Sequence, residues 1–332
     1  MNQLKKKTLD VKRSLTYTYY ISDKTKANSS KPVLFFIHGF PDSAHMWSDV
    51  IDQLPGLPYR MLAIDTLGYA GSSKPTDTAL YSYSDMSNDF LEILDAEDIK
   101  KTIVIGHDWG SGLAQRMYLH HPDYVVGMIL LSVAYLPPTY QPYDLDAANA
   151  WAEQTLGYTS FAYWELFTAP DGAKIINENL EKFWEVLHGD VDDWMKKMFC
   201  VRGAMRNYLL GDEHVPLKPY AKDPKWKNEF MERYQRDGFD APVQYYKAMA
   251  NNIQSESDMS IPKERLKLQV PVCYIGCTGD AVCRTDFNEP SKAAGLMPDL
   301  EEHVIESAHW CPQEEPEEVA KIIKNFVTKR FS

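Results

Sequence analysis

The chain has 332 residues, 44% apolar, 12% aromatic and 25% charged. That is material for a sizeable core and, at roughly 150 residues per domain, for two domains or one large domain with an insertion. Its 35 Lys and Arg against 47 Asp and Glu give a net charge of −12, which repels phosphate backbones and anionic lipid surfaces and excludes nucleic acid and membranes as expected partners. No apolar stretch is long enough to span a bilayer, and no apolar segment of signal-peptide type follows Lys5, Lys6 and Lys7. Five cysteines make no disulfide framework in a chain this long, so a cytoplasmic protein with reduced thiols is expected.

In chain order, residues 8–23 read as a strand pair rich in β-branched and Tyr residues. Continuous apolar runs of the kind buried parallel strands need follow at 33–37, 61–64, 102–105 and 128–133. Helical patterns lie between them at 43–54, 84–96 and 109–121. Alternating strands and helices imply an α/β protein with a mostly parallel sheet and helices on both faces. The pattern breaks at Pro137-Pro138. From 135 to 250 the periodicity is helical, and this third of the chain carries about half of its aromatic residues. Strand signals return at 270–275 and 302–305, and a last helix is predicted over 316–329. The expected organisation is a core of residues 1–137 and 251–332, with 138–250 inserted as a helical cap, or lid.

Chemistry gathers beyond the ends of the strands. The run at 102–105 leads into Gly106-His107-Asp108-Trp109-Gly110 and then a helix, the layout of a nucleophile elbow with Asp108 where Ser is usual. A carboxylate is already ionised at neutral pH and needs no base to attack a saturated carbon, but the alkyl ester it forms must then be hydrolysed. Asp280 follows the strand at 270–275, and His309 follows the next one. His309 would activate water, with Asp280 fixing its tautomer and stabilising the imidazolium. The order nucleophile, acid, His is that of α/β-hydrolases. The first long parallel strand ends in His38-Gly39-Phe40-Pro41, so the backbone N–H groups of Phe40 and Trp109 are expected to form an oxyanion hole. The Gly-rich loop at 65–75 has neither dinucleotide nor P-loop spacing, and Cys273, Cys277 and Cys283 are irregularly spaced. No cofactor and no metal are expected.

These motifs, together with the loop at 65–75 and His309-Trp310, resemble an epoxide hydrolase of the soluble type, with the α/β-hydrolase fold, over essentially the whole chain. The resemblance implies a cis Phe40–Pro41 bond and two lid tyrosines that hold the epoxide oxygen. The segment from Asp237 to Lys247 points to Tyr246, and the segment from Phe161 to Phe167 with Pro170 points to Tyr163, with Tyr245 and Tyr158 as alternatives. The implied substrates are a small apolar epoxide and water. A haloalkane dehalogenase with the same Asp nucleophile is the alternative, with the Trp109 indole as a halide donor. Some of those enzymes carry Asn where this chain has Phe40. Fluoroacetate-type dehalogenases tend to carry Arg at the place of Trp109. A serine esterase lacks its Gly-x-Ser-x-Gly motif here. A non-catalytic ligand-binding protein would have no need of a water-activating pair.

Overall fold

The computed structural model describes residues 1, 3–24 and 30–331. Eight strands form one sheet: β1 (Lys5–Val11), β2 (Leu15–Ile21), β3 (Val33–Ile37), β4 (Met61–Asp65), β5 (Thr102–His107), β6 (Val125–Leu131), β7 (Val272–Cys277) and β8 (Leu300–Ile305). Their spatial order is β1-β2-β4-β3-β5-β6-β7-β8. The hairpin β1–β2 pairs antiparallel and joins β4 antiparallel; every other pairing is parallel. The lysines of β1 are exposed on the edge strand, where charge discourages pairing with another chain. The expected α/β architecture is therefore present, with its strand pair at the antiparallel edge.

The central strands are continuous apolar runs because both faces are covered. Along β3, Phe35 and Ile37 enter one core while Leu34 and Phe36 enter the other. Over the first core lie α2 (Tyr83–Ala96) and α3 (Trp109–His120); over the second lie α1 (Ser48–Asp52) and, near the C-terminus, α15 (Pro316–Arg330). The helix predicted at 43–54 is two pieces, a 3-10 turn over Ala44–Trp47 and then α1. The Ser43 hydroxyl accepts from the His45 N–H and starts the tight turn, a local bond of the kind that competes with regular helix.

Between β6 and β7 the chain is helical: α4 (Leu145–Leu156), α5 (Trp164–Thr168), α6 (Gly172–Glu178), α7 (Leu180–His188), α8 (Trp194–Phe199), α9 (Ala204–Leu210), α10 (Pro224–Asp237), α11 (Gln244–Ala250) and α12 (Ile253–Asp258). Among the described residues its one β feature is an isolated bridge from Gly189 to Leu217. Aromatic rings fill its interior: Phe183 lies at 5.0 Å from Phe239 and 6.0 Å from Phe167, and Phe167 at 4.8 Å from Tyr246. Two short helices, α13 (Glu289–Ala293) and α14 (Cys311–Glu314), complete the C-terminal part. Among the described residues no helix is long and apolar enough to cross a membrane, and all five cysteines are free.

Candidate active site

The turn between β5 and α3 is tight enough to demand its glycines. A Cβ on Gly106 would lie 2.3 Å from the Gly110 carbonyl oxygen, and one on Gly110 would lie 2.1 Å from that of Ile37. Between them Asp108 is held at φ 54° and ψ −125°. A non-glycine residue with positive φ costs of order 1–3 kcal/mol and persists only where its surroundings enforce it. The Asp108 side chain makes no capping bond to α3. It turns instead towards the ends of β3 and β8.

There its Oδ1 accepts the Phe40 N–H at 2.7 Å. The Phe40–Pro41 bond is cis. The Trp109 backbone N–H lies close enough to favour the ionised Asp108 carboxylate. His309 Nε2 lies 3.6 Å from Asp108 Oδ2, while its Nδ1 lies 2.6 Å from Asp280 Oδ2. Asp280 is buried, and its Oδ1 accepts the N–H groups of Val282 (3.0 Å) and Cys283 (2.7 Å). With Oδ1 so engaged, Oδ2 is left to hold His309 Nδ1–H. Burial pulls the His309 pKa down, but the charge of Asp280 and the hydrogen bonds to Asp108 and Asp280 outweigh it, so the imidazole sits well above its usual range. Burial raises the Asp108 carboxyl, but the bond to His309 and its charge hold it below the ordinary carboxylate value. Asp108 and His309 thus rest as a buried ion pair.

A cavity of about 190 Å³ opens on this group, lined by Asp108, Trp109, Tyr163, Trp164 and Cys283 among others. Tyr246 is buried beside it, edge-on to Trp109 at 5.0 Å and with its ring 5.8 Å from that of Tyr163. Burial, then the charge of Asp108, pushes the Tyr163 hydroxyl well above the usual phenol value. For Tyr246 the causes are burial, then Tyr163 and Asp108. Both stay protonated. The alternatives are engaged elsewhere: Tyr245 donates to the Leu67 carbonyl and Tyr158 to that of Ala281, each at 2.9 Å. A larger groove of about 680 Å³ lies on the other side of Asp280, but Lys218 and Arg284 in its wall are paired with Glu314 and Asp286.

Three buried groups escaped the sequence reading. His38, pushed down to about 3 chiefly by burial, donates from Nδ1 to the Gly39 carbonyl at 2.8 Å and accepts the Thr66 N–H on Nε2 at 3.0 Å, which fixes the Phe40 loop. His107, pushed down to about 4 by burial and then by His309, donates to the His309 carbonyl at 2.8 Å, and the Ser132 hydroxyl joins it at 3.1 Å. Asp42 accepts the Trp310 indole N–H at 3.2 Å. The place of His38 at the head of the His-Gly-x-Pro motif and of Asp42 directly after it were the available signal; for His107 it was the place before Asp108. Asp280, Cys283 and His309 bring possible metal-ligating atoms within 4.8 Å of one another. Asp280, however, is already satisfied by two N–H groups and the imidazole, so the cluster needs no cation.

The sequence matches the alpha/beta hydrolase fold family over residues 32–316. Epoxide hydrolase A of Mycobacterium tuberculosis is 26% identical, with 90% of each chain covered. Bifunctional epoxide hydrolase 2 of Rattus norvegicus is 24% identical over 89% of this chain and 51% of its own, so this chain spans about half of that relative. The solved structure of an epoxide hydrolase from an endophytic Streptomyces superposes with a TM-score of 0.79 at 23% identity, covering 99% of this chain and 96% of that one, a likeness of fold. Sheet order, elbow and family match agree: the chain belongs to the alpha/beta hydrolase fold family.

Proposed function

We propose that this chain is an epoxide hydrolase that adds water to a small, neutral, apolar epoxide through an ester on Asp108. The observation that carries the reading is one small cavity lined by Tyr163 and by Asp108, which His309 and then Asp280 back, with Tyr246 packed alongside. Relatives across most of the chain's length bear the name epoxide hydrolase. In the same reading residues 138–250 are the cap, and residues 1–137 and 251–332 are the core. The five free cysteines suit a reducing, cytoplasmic setting.

Asp108 Oδ1 is held by backbone N–H, so Oδ2 is the oxygen that attacks the ring carbon. The C–O bond breaks away from it, and the Tyr163 and Tyr246 hydroxyls donate to the leaving oxygen. Ester formation removes the Asp108 charge, one of the two that keep the proton on His309. The proton His309 releases restores the phenol that gave its own to the alkoxide. The neutral imidazole then takes a proton from water, hydroxide adds to Asp108 Cγ, and the Phe40 and Trp109 N–H groups hold the oxyanion at Oδ1. Collapse of this intermediate frees the diol and regenerates the carboxylate.

A neutral substrate follows from the cavity wall. Arg116 is paired with Asp258 at 2.7 Å and Arg284 with Asp286 at 2.6 Å, and Gln115 bonds the Ala134 carbonyl and the Leu136 N–H, which leaves neither arginine free for a carboxylate. The dehalogenase reading is disfavoured because Phe40 is buried among Phe167, Phe239 and Tyr246 and offers no side-chain N–H. The test is a panel of aryl, terminal and fatty-acid epoxides with haloalkanes and esters as controls. Diol release should be fastest with small aryl epoxides, and His309→Gln should accumulate an adduct with the mass of the substrate. Halide release exceeding diol release would overturn the assignment.

A further inference from the structure

Trp109 and Trp164 each bury an indole N–H that has no hydrogen-bond partner among the described residues. A buried donor without a protein partner is unfavourable, so two at one cavity call for a reason. The rings are neighbours on the cavity wall, 5.6 Å apart, and both stand against the lid tyrosines. Trp109 meets Tyr246 edge-on at 5.0 Å and 86°; Trp164 lies between the two tyrosines, 6.3 Å from Tyr163 at 79° and 5.2 Å from Tyr246 at 87°. Electrostatics divide the two indoles between the two phenols. Burial drives both phenols upward, and against it Trp109 favours the ionised form of Tyr246 while Trp164 favours that of Tyr163.

We propose that Trp109 and Trp164 are positioning residues, each indole N–H backing one oxygen-donating tyrosine as charge reaches its phenol oxygen. The proposal rests on the epoxide hydrolase reading above. In the resting enzyme the phenol is a weak acceptor, and neither indole N–H makes a hydrogen bond of good geometry to it. As the phenol passes its proton to the opening epoxide its oxygen becomes a strong acceptor, in a site with little water to serve it. Indole suits the task because it is a donor only. It can steady a phenolate without accepting the proton or adding a charge that competes for Asp108.

The test is a pair of double-mutant cycles on single-turnover ester formation and ester hydrolysis. Trp109→Phe and Trp164→Phe should each slow ester formation by about tenfold, the size of one hydrogen bond; hydrolysis should be unchanged in Trp164→Phe and should fall far less than ester formation in Trp109→Phe, whose backbone N–H serves the oxyanion in that step. In a Tyr163→Phe background, Trp164→Phe should cost less than about twofold, while in Tyr246→Phe it keeps its full effect. Trp109→Phe should show the mirror pattern. Trp164→His, which keeps a ring N–H, should recover part of the rate and guards against a Phe variant that fails to fold. Additive effects within each pair, or equal loss in both half-reactions, would overturn the proposal in favour of plain packing. If the parent forms no ester with any epoxide, the reaction reading itself falls; if ester forms but the cycles are additive, only the pairing does.

Discussion

Asp108 and His309 lie 3.6 Å apart in a buried site, so the charge on one sets the proton affinity of the other. In the free enzyme the imidazole is raised and the carboxyl lowered. The two steps should therefore respond differently to pH. Ester formation needs ionised Asp108 and should persist through acid until pH falls below the ordinary carboxylate value of 3.8. Ester hydrolysis needs neutral His309 after Asp108 has lost its charge, while Asp280 still raises the imidazole, so kcat should fall on acidification at a higher pH than ester formation does wherever that step limits. Stopped-flow rates of the two steps across pH 4–9 check this; parallel profiles would show that His309 serves both steps. The fate of the water oxygen tests the same bond order. One turnover in ¹⁸O-water with excess enzyme should label the Asp108 carboxyl and leave the diol unlabelled. Label in that first diol would mean that water attacks the epoxide directly, and Asp108→Ala would then keep activity it is expected to lose entirely.

At the scale of elements, legibility tracked how local the cause was. β3, β4 and β5 were readable because strands buried on both faces are continuous apolar runs. β6 begins three residues before its predicted start, since Val125 extends a run whose edges composition does not mark. Chain order and strand ends pointed to the neighbourhood of Asp108, Asp280 and His309, whereas Tyr163 and Tyr246 came from motif position. Nothing local separates Tyr246 from Tyr245; the difference is that the Tyr245 hydroxyl reaches the Leu67 carbonyl, 178 positions away. His38 and His107 were illegible as parts of the site because burial and tautomer are tertiary facts. The elbow ties element to residue. Gly110→Ala sets a Cβ against the Ile37 carbonyl at 2.1 Å, and backbone cannot step aside as a flexible side chain can. It should cost about 1–3 kcal/mol in denaturant unfolding. Activity should fall by on the order of 10²-fold, because the Asp108 carboxylate and the Phe40 N–H must part. Full activity in that variant would show that the elbow tolerates being opened.

The whole molecule carries net charge −12 and buries several of its acids around the site. Burial pushes Asp42 up to about 7 even though Arg233 opposes it. Asp65 is pushed up to about 6, again by burial, against the N–H groups of Ala44 and Gly71. For a carboxyl whose folded pKa lies above its unfolded value of 3.8, the stabilising contribution is whole below pH 3.8. It is lost as pH rises through the folded value. The His309 contribution runs in the same direction but in a later window: present below 6.5, and lost as pH climbs through its raised folded pKa. Asp108 works oppositely, stabilising above 3.8 and losing its contribution as pH falls through its lowered folded value. Between about pH 4 and 7 the two buried acids dominate, because Asp108 is already ionised and His309 has yet to titrate. Stability should decline across that interval. Asp42→Asn removes the larger of the two contributions; its amide oxygen can still accept the Trp310 indole N–H, and its NH₂ can meet Gln313 with that amide turned about. The variant should match the parent near pH 4 and exceed it near pH 8 by on the order of 2 kcal/mol, the size of a displaced carboxyl pKa discounted for the bonds that accompany it. Urea midpoints at the two pH values check this. If parent and variant show the same slope, Asp42 ionises without penalty in the folded protein and Arg233 neutralises it fully.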